Sequence, residues 1–157
     1  MQTFIWNKRL ETGIQEVDEQ HLRLVELINR MANLVTEGKD DDAAIDAILG
    51  ELGEYASYHF DEEESLMEER GIDRRHFEHH QLQHSQFIDK VGQMWDSRDQ
   101  QGKPEGKPAA AIGDYLSSWL SSHILEEDQA MALQLALIAA GVSPEAAYQK
   151  EQSGRGR

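Results

Sequence analysis

The stretch Asp18-Glu-Gln-His21-Leu-Arg-Leu24-Val25-Glu-Leu-Ile28-Asn-Arg-Met-Ala32-Asn-Leu-Val35 decides the fold class. His21, Leu24, Val25, Ile28, Ala32 and Val35 recur at the three- and four-residue spacing of one helix face. Asp18 suits an N-cap, and Gly38 with the acidic run to Asp42 breaks the pattern. The unusual member of the stripe is His21, a polar ring at the head of an apolar face.

Outward from this helix the same period continues. A second helix reads Ile45, Ile48, Leu49, Leu52, Tyr55, Ala56, His59, Glu63, Leu66 and Met67, and Gly71 ends it. A third carries Phe77, His80, His84, Phe87, Ile88, Val91, Met94 and Trp95. Residues 100–108, rich in Gln, Gly, Lys and Pro, form a loop by composition. A fourth helix begins near Pro108 and shows Ile112, Tyr115, Leu116, Trp119, Leu120, His123, Ile124 and Met131, running on towards Ala140. Gly141 stops it, and Ser143-Pro-Glu-Ala-Ala opens a short extra helix. A lead-in of about 17 residues carries Phe4, Ile5 and Trp6. These segments predict an all-α chain, an antiparallel up-down four-helix bundle over residues 1–135. A C-terminal extension follows over residues 136–157, with a flexible tail from Ser153. No internal repeat is visible.

Composition narrows the function. The chain has 157 residues, 39% hydrophobic and 29% charged, enough for one domain with a real core. A net charge of −15 argues against nucleic acid and against an anionic membrane surface. With no cysteine, thiolate metal sites, iron–sulfur clusters and thiol nucleophiles are excluded. The N-terminus lacks the apolar run of a signal peptide, and no stretch reaches the ~20 apolar residues of a membrane span. A cytoplasmic, monomeric protein is expected.

The chemistry sits on the apolar faces. Five of the seven histidines, His21, His59, His80, His84 and His123, fall on the inward stripes. Helix positions four apart project from one face about 6 Å apart, which pairs His59 with Glu63 and His80 with His84. A carboxylate on an apolar stripe needs a partner to offset its desolvation. All four helices contributing such residues points to metal, and binding it should stabilise the fold. Five imidazoles and two carboxylates exceed what one tetrahedral zinc takes; two carboxylate-bridged ions fit the count, and the donor types suit iron. Two assignments stay open on spacing alone. Glu127, four residues after His123, lies nearer its face than Asp128 at five. His76 is also four residues from His80, so His76/His80 rivals His80/His84, although Phe87, Ile88 and Val91 continue the His84 face.

Gly13-Ile-Gln-Glu-Val-Asp-Glu-Gln-His21, His59-x-x-x-Glu63, His80-x-x-x-His84 and His123-x-x-x-x-Asp128, with Trp6 upstream, resemble the hemerythrin family in its bacterial single-domain branch over about residues 4 to 135. The resemblance implies that His80, His84 and His123 hold one iron and that His21 and His59 hold a second with one position open. It implies Glu63 and Asp128 as bridges, together with a solvent-derived oxo or hydroxo group. Molecular oxygen would bind reversibly at the open position, in a carrier or store and not an enzyme. The family pattern favours Asp128 over Glu127. A small insertion around residues 73–76 is also implied, leaving His76 and His79 exposed or hydrogen-bonded behind a ligand, so that replacing His76 preserves iron content. Leu24, Trp119, Leu120 and Ile124 are expected to line the oxygen pocket and keep water out. Other readings are an oxygen or redox sensor using residues 136–152 to dock a partner, a di-iron peroxidase or oxidase, and a zinc-stabilised structural bundle. A protein recipient of the oxygen is not identified by the sequence.

Overall fold

The computed structural model describes residues 1–98 and 108–155. The elements are a 3-10 turn (Lys8–Leu10), α1 (Gln15–Thr36), α2 (Asp42–Glu69), α3 (Arg74–Asp96), α4 (Pro108–His123), a π-helical turn (Ile124–Asp128), α5 (Gln129–Ala139) and α6 (Pro144–Arg155). No strand occurs among the described residues. The predicted loop over residues 100–108 lies outside them, apart from Pro108, which opens α4.

Helix α1 packs on α2 and α4, and α3 packs on the same two helices, so the four close into a ring. The α1–α2 and α2–α3 connections, residues 37–41 and 70–73, are short enough to force antiparallel neighbours. The α2–α3 turn shows how the chain is stopped and redirected. Gly71 adopts φ 69°, a left-handed conformation that costs glycine little. Its N–H donates to the Glu68 carbonyl, and the Ile72 N–H donates to the Met67 carbonyl. Ile72 and Met67 are both buried in the same apolar cluster, which fixes the exit direction of the chain. Asp73 then caps α3 by accepting from the Arg75 N–H.

Two of the sequence expectations need correction. Asp18 lies inside the first turn of α1, whose N-cap is Ile14. Its carboxylate reaches back to accept from the Thr12 N–H, the Thr12 hydroxyl and the Gly13 N–H, so it ties down the approach to the helix. The tail expected from Ser153 is helical through Arg155, because Arg155 pairs with the buried Glu151 one turn earlier. α5 runs unbroken from Gln129 to Ala139. α6 folds back on α5.

The apolar core falls into two clusters. The larger joins α1 from Leu24 to Met31, α2 from Ile45 to Phe60, Phe87 of α3, and Ala109 to Ile124. The smaller contains Val17, Met67, Ile72, Phe77, Met131 and Leu135. On every helix the candidate ligands lie between members of the two clusters, so a polar layer is sandwiched between apolar ones. The stripe on α1 is wider than its period alone suggests, since Leu27 and Met31 are wholly buried. Facing both α2 and α4 requires a broader apolar arc than facing one neighbour. The lead-in is strapped across α1, where the Phe4 N–H donates to Asn29 Oδ1 at 2.7 Å and Asn29 Nδ2 donates back to the Phe4 carbonyl at 3.0 Å.

Leu27→Ala removes a fully buried side chain from the larger cluster, far from the polar layer. It should cost about 2–5 kcal/mol of stability, seen as a lower urea midpoint at unchanged denaturant slope.

Candidate metal centre

Each helix of the ring delivers one part of the polar layer. α1 supplies His21, α2 supplies His59 and Glu63 one turn apart, α3 supplies His80 and His84, and α4 ends on His123. All are at most 3% exposed. The π-helical turn settles which acid joins them. Its wider winding carries i→i+5 hydrogen bonds, and the Gln129 N–H donates to the Ile124 carbonyl across it. That turn swings Asp128, five residues after His123, into the layer, where His80 and His123 present their Nε2 atoms 3.0 Å and 3.3 Å from Asp128 Oδ1. Glu127 points away, with its Oε1 3.1 Å from Nδ1 of the exposed His79.

The carboxylates each face both groups of histidines. Asp128 sets Oδ2 3.0 Å from His21 Nε2, and Oδ1 towards His80 and His123. Glu63 sets Oε1 2.6 Å from His59 Nε2 and 4.0 Å from His21 Nε2, and Oε2 3.6 Å from His80 Nε2. His84 Nε2 stands 3.9 Å from Glu63 Oε1 and 3.2 Å from His123 Nε2. Between the rivals on α3, His84 therefore enters the layer. His76 is buried behind His80, with its Nε2 3.0 Å from His80 Nδ1.

The outer nitrogens explain why these rings present lone pairs inward. His59 Nδ1–H donates to Gln20 Oε1 at 2.6 Å, His84 Nδ1–H to Glu64 Oε2 at 2.9 Å, and His123 Nδ1–H to Gln83 Oε1 at 2.8 Å. Each proton is thus committed outward, leaving Nε2 bare. His84 and His123 then confront each other with two lone pairs at 3.2 Å, and His59 confronts a carboxylate oxygen at 2.6 Å. Such contacts repel unless something positive, a metal ion or a shared proton, lies between them. Burial, reinforced by His80 and His123, pushes His84 down to about 2, so the His84 ring does not itself carry such a proton near neutrality. Both oxygens of Glu63 and of Asp128 are buried without a hydrogen-bond partner. The donor set fits metal, and two groups of ligating atoms converge within 4.8 Å, Glu63 with His80, His84 and His123, and His21 with His59 and Glu63.

Gln20, Glu64 and Gln83 are functional neighbours that the stripe analysis passes over. Their one signal is position, each being adjacent in sequence to a ligand candidate and reaching across to a ligand on the next helix. Phe60 is another, stacked on His84 with ring centroids 3.9 Å apart. Of the expected pocket lining, Leu24, Leu120 and Ile124 are buried in the larger cluster, and Trp119 stacks on His123 at 4.4 Å.

The electrostatics carry a pH signature. Burial, then the charge on His21, holds His59 well below its ordinary value, and burial with His80 holds His76 at about 3. Burial and then Asp128 push the Glu63 carboxyl well above its ordinary value. For Asp128 burial acts upward, but the facing His123 and His21 hold it well below the usual range. Below pH 6.5 the unfolded chain protonates His59, His76 and His84 while the folded chain does not. Stability of the metal-free protein therefore falls on acidification, by up to about 1.4 kcal/mol per pH unit for each histidine. Glu63 has the opposite sign and offsets part of this. Urea midpoints of metal-free protein at pH 7 and pH 5.5 check this, and a midpoint that rises on acidification would contradict it.

The Hemerythrin HHE cation binding domain family matches residues 12–135. The chain is 38% identical over 130 residues to a bacteriohemerythrin of Pseudomonas aeruginosa, covering 82% of this chain and 78% of the relative. It is 31% identical over 128 residues to one of Clostridium acetobutylicum, covering 80% and 96%, and 33% identical over 135 residues to one of Stenotrophomonas maltophilia, covering 86% and 83%. No solved structure matches the chain. A polar layer built to face cations, in a ring of four helices and within a sequence related to these proteins over most of its length, makes the chain a member of the hemerythrin family.

Proposed function

We propose that the chain binds molecular oxygen reversibly at a pair of iron ions held in the polar layer, as a carrier or store. The observation that carries this reading is the pair of carboxylates, Glu63 and Asp128, each of which faces two separate histidine groups. His80, His84 and His123 are the ligands on one side, His21 and His59 on the other, and Glu63 and Asp128 are the bridges. Iron there would supply the electrons for reversible oxygen binding. The side with two histidines has one donor fewer, which makes it the side that admits oxygen.

The protein's own groups do the rest. Gln20, Glu64 and Gln83 hold the outer protons of His59, His84 and His123, so each ring keeps its bare nitrogen inward. Phe60 and Trp119 clamp the faces of His84 and His123. Leu24, Leu120 and Ile124 bring apolar surface up to the layer and exclude the water that would promote irreversible oxidation. The relatives named bacteriohemerythrin and the family match support this reading. No described helix is long and apolar enough to cross a membrane.

Anaerobic reduction of iron-loaded protein, followed by spectra on adding and then removing oxygen, tests the function. A visible charge-transfer band that appears with oxygen and vanishes on its removal, at a pair of irons per chain, is expected. Immediate irreversible oxidation would overturn the carrier reading, and no iron uptake would overturn the metal assignment. In the same assay Asp128→Ala and His84→Ala should lower iron content while Glu127→Ala retains it. Leu120→Ala should raise the autoxidation rate, and an unchanged rate would remove Leu120 from the lining.

A further inference from the structure

Behind His80 runs a buried chain of polar groups that the proposed oxygen site does not use. His80 Nδ1 is 3.0 Å from His76 Nε2, and His76 Nδ1 is 3.1 Å from Gln134 Nε2 on α5. The same Gln134 nitrogen lies 3.4 Å from Glu151 Oε1 on α6, and Glu151 is held by Arg155 through bonds of 2.6 Å and 2.8 Å. His76, Gln134 and Glu151 are 3%, 0% and 4% exposed. A continuous line of hydrogen bonds thus joins a candidate ligand to the C-terminal helix.

The direction of that line is fixed at one end. An amide nitrogen only donates, so Gln134 donates to His76 Nδ1 as well as to Glu151. His76 must then carry its proton on Nε2 and donate to His80 Nδ1. His80 is left with its proton on Nε2, facing Asp128 Oδ1 at 3.0 Å. A ligand nitrogen has to be bare, and ligation through His80 Nε2 demands the opposite arrangement. The His80 proton moves to Nδ1 and is donated to His76 Nε2, and the His76 proton moves to Nδ1 and needs an acceptor. Gln134 supplies one by a half-turn of its amide, which brings Oε1 to His76. In the present direction that oxygen is buried with no hydrogen-bond partner. The half-turn also takes the amide N–H away from Glu151, which keeps only Arg155.

We propose that His76 and Gln134 are positioning residues for His80, and that filling the metal centre reverses their hydrogen bonds and releases Glu151, so that α6 senses metal occupancy. The inference rests on His80 being a ligand. No net proton is gained or lost along the line. His76 and His80 each shift one proton between their own nitrogens, and the amide turns.

Zinc, which is diamagnetic and redox-silent, is the probe. Long-range proton–nitrogen NMR of the full chain should show the His76 proton on Nε2 without zinc and on Nδ1 with it. Amide exchange over residues 144–155 should quicken on loading. Zinc bound at His80 with the His76 proton still on Nε2 would overturn the proposal, as would a further zinc held by His76, His80 Nδ1 and Glu127, whose atoms also lie close together. Zinc that leaves the ring nitrogens of His21, His59, His84 and His123 unshifted would overturn the metal-centre reading itself, and this inference with it. Zinc affinity gives the second readout. His76→Leu should weaken binding about 10- to 100-fold, with recovery in His76→Gln, whose amide oxygen accepts from His80. Glu151→Gln should tighten binding about three- to tenfold, because loading no longer breaks a hydrogen bond to a charged group. A residue that merely braced the fold would give the opposite sign, and unchanged or weaker binding in Glu151→Gln would overturn the coupling.

Discussion

Everything in this molecule depends on lone pairs that face one another in a buried layer. His84 and His123 meet nitrogen to nitrogen, and His59 meets a carboxylate oxygen, with no water-exposed route to relieve the repulsion. A protein interior tolerates such contacts only when something positive satisfies them. The surrounding helices commit the outer proton of each ring to Gln20, Glu64 or Gln83, which keeps the inward nitrogens bare. The layer is therefore a receptor for cations before it is anything else.

The π-helical turn is the local device that completes the receptor. An ordinary helix would bring Glu127 beneath His123 and leave Asp128 well round the cylinder. The extra residue per turn exchanges them, delivering a shorter carboxylate into the layer and turning the buried Glu127 towards the exposed His79. Such single-turn bulges often sit at functional sites, and here the reason is visible in which oxygen meets which nitrogen.

Much of this was legible in the sequence, for physical reasons that can be named. The 3.6-residue period placed His21, His59, Glu63, His80, His84 and His123 on inward faces, and the structure brings all six together. Asp128 was not legible from spacing, since nothing in the period announces a change of winding, and only the family pattern pointed to it. For His76 two places were left open, and the structure takes the second, buried and hydrogen-bonded behind His80, since 76, 80 and 84 form one continuous face. What covers it is Gln134 and then α6, and that packing depends on how the chain turns at residues 140–143. Gln20, Glu64 and Gln83 escaped notice because a contact between helices depends on their relative rotation, which a single helix's period does not contain. Asp18 was read as a cap because its residue type fits; the chain instead enters α1 three residues earlier and uses it as a clasp.

The division of the core into two apolar clusters has a consequence for how the molecule comes apart. Apolar packing is the main glue of a domain, and here it is interrupted by a stratum of imidazole and carboxylate. Without a cation, little but polar contacts couples the end holding Val17, Met67 and Phe77 to the end holding Leu27 and Leu116. That stratum is then the weakest plane of the packing, although α1, α2 and α3 run through both ends and hold them in one cooperative unit. A cation held there would tie all four helices together across that plane.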